Sequence, residues 1–265
     1  MLDLSTIIKY DPSGMHKIYD KWPEIAKQSY ESNKDAVDFK NIDHIVFAGM
    51  GGSGTIGDII SSILSKSNIH TCIVKGYHLP NTVDKNTLVV TTNISGNTSE
   101  TLAVLKSALK LDCKIAAFSA GGRMQQFCTK NKVTYKKLDF FHSPRASLAG
   151  FLYSILSFLG PVFNIKKNDI TESISTLEDL QRQINSSNLK NNNNPSLKLA
   201  EWISGIALVI IGSIIGYQFL DAYLYKQVVF LGSLFASVIL FLLGAILCVT
   251  AIILFSMATL MRERE

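Results

Sequence analysis

The stretch HIVFAGMGGSGTIGDII, His44–Ile60, decides how this chain folds. An apolar run stops at Gly49, Gly51, Gly52 and Gly54, and the residues that follow have helical spacing. A buried strand feeding a glycine-rich turn and then a helix N-terminus is the start of a βαβ unit. Glycines let the backbone approach an anion closely, and a helix start presents free N–H groups with a positive dipole end. Taken alone, Gly49-Met50-Gly51-Gly52-Ser53-Gly54 satisfies the GxGxxG dinucleotide pattern. That pattern also needs an acidic residue at the end of the next strand, and TCIVKGYH (71–78) has none. No Gly-Lys-Ser/Thr follows, so the loop is not a Walker A motif either. Dinucleotide binding is thereby disfavoured, and no cofactor is expected.

The same strand–loop–helix logic repeats outward from this loop. HTCIVKGY, TLVVTTNIS, CKIAAFSA and the weaker VTYKKLD read as four further strands. Helical stretches lie between them at NTSETLAVLKSALKL and GRMQQFCTKN, and SPRASLAGFLYSILSFLGPVF is a strongly apolar helix. Strands alternating with helices predict an α/β domain with a doubly wound, parallel, five-stranded sheet. Ligands in such sheets sit at the carboxyl ends of the strands. There, TTNISGNTSET (91–101) offers Ser95, Gly96, Asn97 and Thr98 at a second helix start, with Glu100 complementing the dipole. A third small-residue loop spans Ser119–Gly122. Three such loops on successive strands predict one polar pocket.

The rest of the chain divides by composition. Residues 1–40 read as a helical extension, with turn or start signals at Asp11–Gly14 and Trp22–Glu24. Residues 41–165 hold the α/β domain; residues 166–200 are a polar helix and an Asn-rich linker, Asn185–Ser196. The apolar tail covers 201–262. Ile203–Leu220 and Val228–Leu260 are free of charge, which predicts a hairpin of two transmembrane helices at about 20 residues per crossing. Lys190 and Lys198 before it, and Arg262 and Arg264 after it, would place the α/β domain in the cytoplasm, anchored by the tail. The first 200 residues carry a net charge of +6 and the tail −1, with no basic patch interleaved with aromatics, so nucleic acid is not an expected partner. Cys72, Cys113, Cys128 and Cys248 are scattered, with no CxxC; no metal site or disulfide framework is expected. The N-terminus lacks the pattern of a cleaved signal peptide.

Five motifs in order, GMGGSGTIGD, GYHLP, SGNTSET, SAGGRMQQ and SPRASLAG, together with DPSGM and WPE near the N-terminus, resemble the bifunctional phosphoglucose/phosphomannose isomerases. These belong to the sugar isomerase (SIS) superfamily. The resemblance covers about residues 1 to 213. It implies a SIS-fold domain that binds glucose 6-phosphate, mannose 6-phosphate or fructose 6-phosphate in aldose–ketose isomerisation, an activity of glycolysis and gluconeogenesis. It implies that Ser53, Ser95 and Thr98 bind the phosphate, within a candidate set completed by Gly51, Gly52, Asn93, Gly96 and Asn97. Arg145 would stabilise charge on the enediolate intermediate, a task that suits a fixed, always-charged guanidinium. Asn93 is a departure, since the family usually has serine there; asparagine still offers an amide donor.

Isomerisation also needs a general base. The resemblance implies that the glutamate, histidine and lysine doing this work come from a second domain, whose first strand LAEWISGIALVIIGS resembles. No glutamate occurs between Glu201 and Glu263, and no histidine after His142, so no general base is found. His16, His44, His70, His78 and His142 are scattered and read as structural or solvated. Three readings stay open. In the first, the chain is a sugar-phosphate binder whose catalytic half is replaced by a membrane hairpin; in the second, it is an isomerase that borrows its base from a partner copy in a homodimer. In the third, the hairpin is the functional part and the α/β domain a non-catalytic sugar-phosphate sensor or interaction module.

Overall fold

The computed structural model describes residues 4–32, 35–189, 194–226, 234–246 and 249. Three helices come first: α1 (Leu4–Tyr10), α2 (Met15–Asp20) and α3 (Trp22–Glu31). Strands and helices then alternate as β1 (His44–Ala48), α4 (Gly52–Leu64), β2 (His70–Val74), β3 (Thr87–Thr92), α5 (Ser99–Ala108), β4 (Lys114–Ser119), α6 (Gly122–Asn131) and β5 (Thr134–Lys137). After them come α7 (Leu148–Phe158), α8 (Gly160–Phe163), α9 (Lys167–Ile184) and α10 (Pro195–Lys226). All four strand pairings are parallel, and the order is β2-β1-β3-β4-β5. The five-stranded parallel sheet matches the fold expected for 41–165.

Each central strand is buried on both faces, and its residues alternate between two cores. Ile45, Phe47, Leu88, Val90, Ala116 and Phe118 pack with Ile56, Ile60 and Leu64 of α4 and Phe151 and Ile155 of α7. Val46, Ala48 and Val89 face Val104 and Ala108 of α5. Ala117 faces Leu102 and Leu105, together with Met124 and Cys128 of α6. Strand order reverses between β1 and β3, so the crevice at their carboxyl ends is the topological switch point. The single apolar helix expected across SPRASLAGFLYSILSFLGPVF is divided: α7 ends at Phe158, and Pro161 opens the short α8.

The chain divides into two compact units, Ser5–Gln181 and a second built chiefly from residues 182 onward. In the second, Asn194 is fully buried and its Oδ1 accepts the backbone N–H groups of Ser196 and Leu197, which caps α10 ahead of Pro195. LAEWISGIALVIIGS is therefore helical, not a strand. Gly212 of α10 lies against helical residues 234–246; a Cβ there would come within 2.9 Å of the Phe241 backbone nitrogen.

The expected transmembrane hairpin is not found: no helix among the described residues is long and apolar enough to cross a membrane. Of the second charge-free run, only residues 234–246 and 249 are among those described. In α10, exposed Ser213, Tyr217 and Gln218 interrupt the apolar residues. Counting charges alone overlooked these polar side chains. The rest of Val228–Leu260, with Lys190, Cys248, Arg262 and Arg264, lies outside the described residues.

Candidate functional site

The loop after β1 carries the chain straight into α4. Gly51 has φ 54° and ψ −127°, a conformation that favours glycine. No side chain caps α4. Ser53 sits one residue inside the helix, 9% exposed, and its Oγ accepts the backbone N–H of Ile94 at 3.3 Å. This bond ties the β1 loop to the β3 loop across the switch point.

The β3 loop is organised by Asn93. Its backbone N–H bonds Phe118 O, prolonging the β3–β4 ladder, and its side chain is 2% exposed. Asn93 Oδ1 accepts three bonds: from Ser95 Oγ (3.3 Å), from the Gly96 N–H (3.1 Å) and from Thr98 Oγ1 (3.0 Å). Thr98 is the N-cap residue of α5, yet its hydroxyl turns to Asn93 and makes no cap bond. The start of α5, like that of α4, therefore has no side-chain cap. Ser95 is exposed, and its Oγ also accepts the Asn97 N–H.

The third loop serves the second. Asn97 Oδ1 accepts the Arg123 N–H and Gly96 O accepts the Met124 N–H, so residues of the β3 loop occupy the start of α6. Gly96 (φ 73°) lies against Gly121 so closely that a Cβ would fall 1.8 Å from Gly121 O. Ser119 is fully buried and bonds Gly121 and Tyr135. Of the three loops expected to form one pocket, two meet at the switch point and the third buttresses them.

No family model matches the chain. A bifunctional phosphoglucose/phosphomannose isomerase of Caldicellulosiruptor bescii is 31% identical over 167 residues, 61% of this chain and 49% of the relative. One from Thermoplasma acidophilum is 34% identical over 139 residues, 52% of this chain and 42% of the relative. The chain is a homologue of the bifunctional phosphoglucose/phosphomannose isomerases. It spans about half the length of the curated relatives it matches. Among solved structures, a candidate sugar-binding protein of Salmonella typhimurium LT2 shares the fold, with a TM-score of 0.50 at 11% identity over 74% of this chain and 61% of that one.

The other candidate residues lie apart from the two loops. Arg145 is exposed on the turn between β5 and α7, and its guanidinium makes no hydrogen bond or ion pair with a described residue. That turn is held by Trp22 Nε1, which donates to Ala146 O, and by Ser147 Oγ, which donates to Phe141 O and Ser143 O. The connection leaves the carboxyl end of β5, so it shares the sheet edge of Ser53 and Ser95. No described hydrogen bond or ion pair joins it to them.

His16 is bound to Asp11, whose carboxyl is held far below its usual range by the His16 backbone N–H and then the imidazole. His44 lies at the opposite, amino-terminal edge of the sheet. Its Nδ1 is 3.2 Å from Thr87 Oγ1, which itself donates to Asp84. Nδ1 must then carry the proton, leaving Nε2 buried and unpartnered. Burial, and then the neighbouring His70, hold the His44 pKa below its usual value. His78 lines a separate groove with Pro80 and Lys110, and His142 is exposed.

Two residues at this edge of the sheet were missed in the sequence. Lys75 follows β2, pairs with Asp58 of α4 at 2.7 Å, and brings its Cε within 3.2 Å of where a Cβ on Gly54 would be. Tyr77 stands beside Glu100, whose carboxylate raises the phenol's pKa.

Proposed function

We propose that residues 41–165 are the sugar-phosphate-binding domain of an aldose–ketose isomerase acting between glucose 6-phosphate or mannose 6-phosphate and fructose 6-phosphate. The observation that carries this reading is the meeting of the β1 and β3 loops at the switch point, joined by Ser53 and Ile94, with two helix starts that lack side-chain caps. Backbone N–H groups and a positive dipole end at each helix suit a phosphate dianion. Gly51, Gly52, Ser53, Ser95, Gly96 and Thr98 line that approach, and Asn93 and Asn97 shape it. Arg145, unpaired and on the same edge, is the candidate for steadying the enediolate. Homology to the named isomerases supports the substrate class.

A second reading, a non-catalytic sugar-phosphate sensor, has its own observation. Moving a proton between C1 and C2 needs a carboxylate free to act as base. The carboxylates noted beside the loops are Asp58, paired with Lys75, and Glu100, next to Tyr77.

Calorimetric titration with fructose 6-phosphate tests binding, and a coupled assay for fructose 6-phosphate formation from glucose 6-phosphate tests turnover. Binding that weakens at least tenfold in Ser53→Ala supports the site. Unchanged affinity in that variant sinks it. Turnover excludes the sensor; binding with no turnover fits both the sensor and a binding domain that lacks its general base.

A further inference from the structure

We propose that Asn93 Oδ1 is an internal stand-in for a ligand oxygen, so that anion binding at the β3 loop proceeds by exchange of the Ser95 and Thr98 hydroxyl protons from Asn93 to the anion. The inference rests on the sugar-phosphate reading of this site and adds how the empty site is kept. A single buried oxygen collects Ser95 Oγ at 3.3 Å, Thr98 Oγ1 at 3.0 Å and the Gly96 N–H at 3.1 Å. Convergent donors around one acceptor are the arrangement that an oxyanion would otherwise receive. Each hydroxyl has one proton to give. While both protons point at Asn93, the two oxygens turn only lone pairs to the rim, and these repel an anion.

The exchange is possible because the two hydroxyls rotate about one bond, whereas Asn93 itself is 2% exposed and is not reached by the ligand. Gly96 N–H is also held by Asn93 O at 2.9 Å, so it stays in the turn when the hydroxyls leave. The Asn97 N–H continues to donate to Ser95 Oγ, which keeps that oxygen in place. Asn93 is thus a positioning residue. It orders the loop when the site is empty and competes with the ligand for two donors.

The competition makes opposite predictions for two substitutions. Serine in Asn93→Ser is too short to hold all three donors, so the hydroxyls are released. The empty protein melts earlier, while affinity for inorganic phosphate and for fructose 6-phosphate rises about threefold to tenfold, the worth of one or two hydrogen bonds no longer broken. Asn93→Asp keeps the shape but holds the same donors by a charge, and affinity falls more than tenfold. Both are read on the full chain by calorimetry, and by the shift in melting temperature that each anion produces.

Affinity in Asn93→Ser equal to or below the parent's, with the parent binding, overturns the stand-in and leaves the site assignment intact. If Asn93→Ser does not fold, Asn93→Asp decides, and affinity within twofold of the parent overturns the proposal. If neither the parent nor either variant binds phosphate or fructose 6-phosphate, the sugar-phosphate reading itself falls and takes the stand-in with it.

Discussion

Replacing Gly96 by alanine separates two costs that glycine avoids here, backbone strain and collision. Gly96 has φ 73°, and a left-handed conformation costs a residue with a Cβ about 1–2 kcal/mol. The new Cβ would also lie 1.8 Å from Gly121 O, a backbone atom that cannot swing aside as a side chain does. The β3 and β4 loops must then part. That separation breaks the Met124 N–H to Gly96 O and Arg123 N–H to Asn97 Oδ1 bonds, at about 1 kcal/mol each. The total is on the order of 3–4 kcal/mol. Two neighbours serve as controls. Gly51 (φ 54°, ψ −127°) has nothing within 4 Å of its Cβ position, so Gly51→Ala carries strain alone, about 1–3 kcal/mol. Gly52 has the same open space and no positive φ, so Gly52→Ala is neutral or gains about 0.4–1 kcal/mol through the unfolded state. Urea unfolding of the three variants measures the series. A Gly96→Ala cost no greater than the strain of about 1–2 kcal/mol would show that the loops part without penalty and refute the reasoning.

Other consequences of the structure are open to simpler tests. Because the folded pKa of His44 lies below 6.5, the unfolded chain binds more protons as pH falls through that value, and stability drops from about pH 6.5 downward. His44→Gln should remove that part of the pH dependence in urea melts at pH 8 and 5.5, with His70, Asp43 and Asp84 left in place. Burial pushes the Cys128 thiol up to about 11, so a maleimide at pH 8 should label it only after unfolding; rapid labelling of the native chain contradicts its burial. Phe118 is fully buried between β4 and α7, edge-on to Phe158, and Phe118→Ala should cost about 3–5 kcal/mol in the same melts.

The sheet was legible because its strands are short apolar runs that stop at small residues, and both faces are buried. His44–Ala48 and Thr87–Thr92 leave no other reading. The two loops at the switch point were legible for a related reason: glycine and hydroxyl residues at a strand end announce a backbone that must turn sharply. What those side chains do was not legible. Asn93 and Asn97 look like donors aimed at a ligand, but an amide's partner depends on the loop's conformation, and here both serve the loop. The tail was misjudged because absence of charge was taken as sufficient for a membrane span, while Ser213, Tyr217 and Gln218 were not weighed. Lys75 was passed over because a lone lysine after a strand has no pattern around it; only the fold brings it beside Gly54 and Asp58.

The Ser53–Ile94 bond has a consequence for how this edge tolerates change. It makes the rims of two βα units a single mechanical piece, so their lengths cannot drift independently. One residue inserted between Asn93 and Thr98 would shift Ile94 or Thr98 off its partner and unseat the β1 loop as well, forty residues away in sequence. The same insertion at Leu111–Asp112, on the far side of the sheet after α5, meets no such bond across units. A library of single-residue insertions would therefore separate these two places: tolerant in the turn after α5, intolerant in the β3 loop.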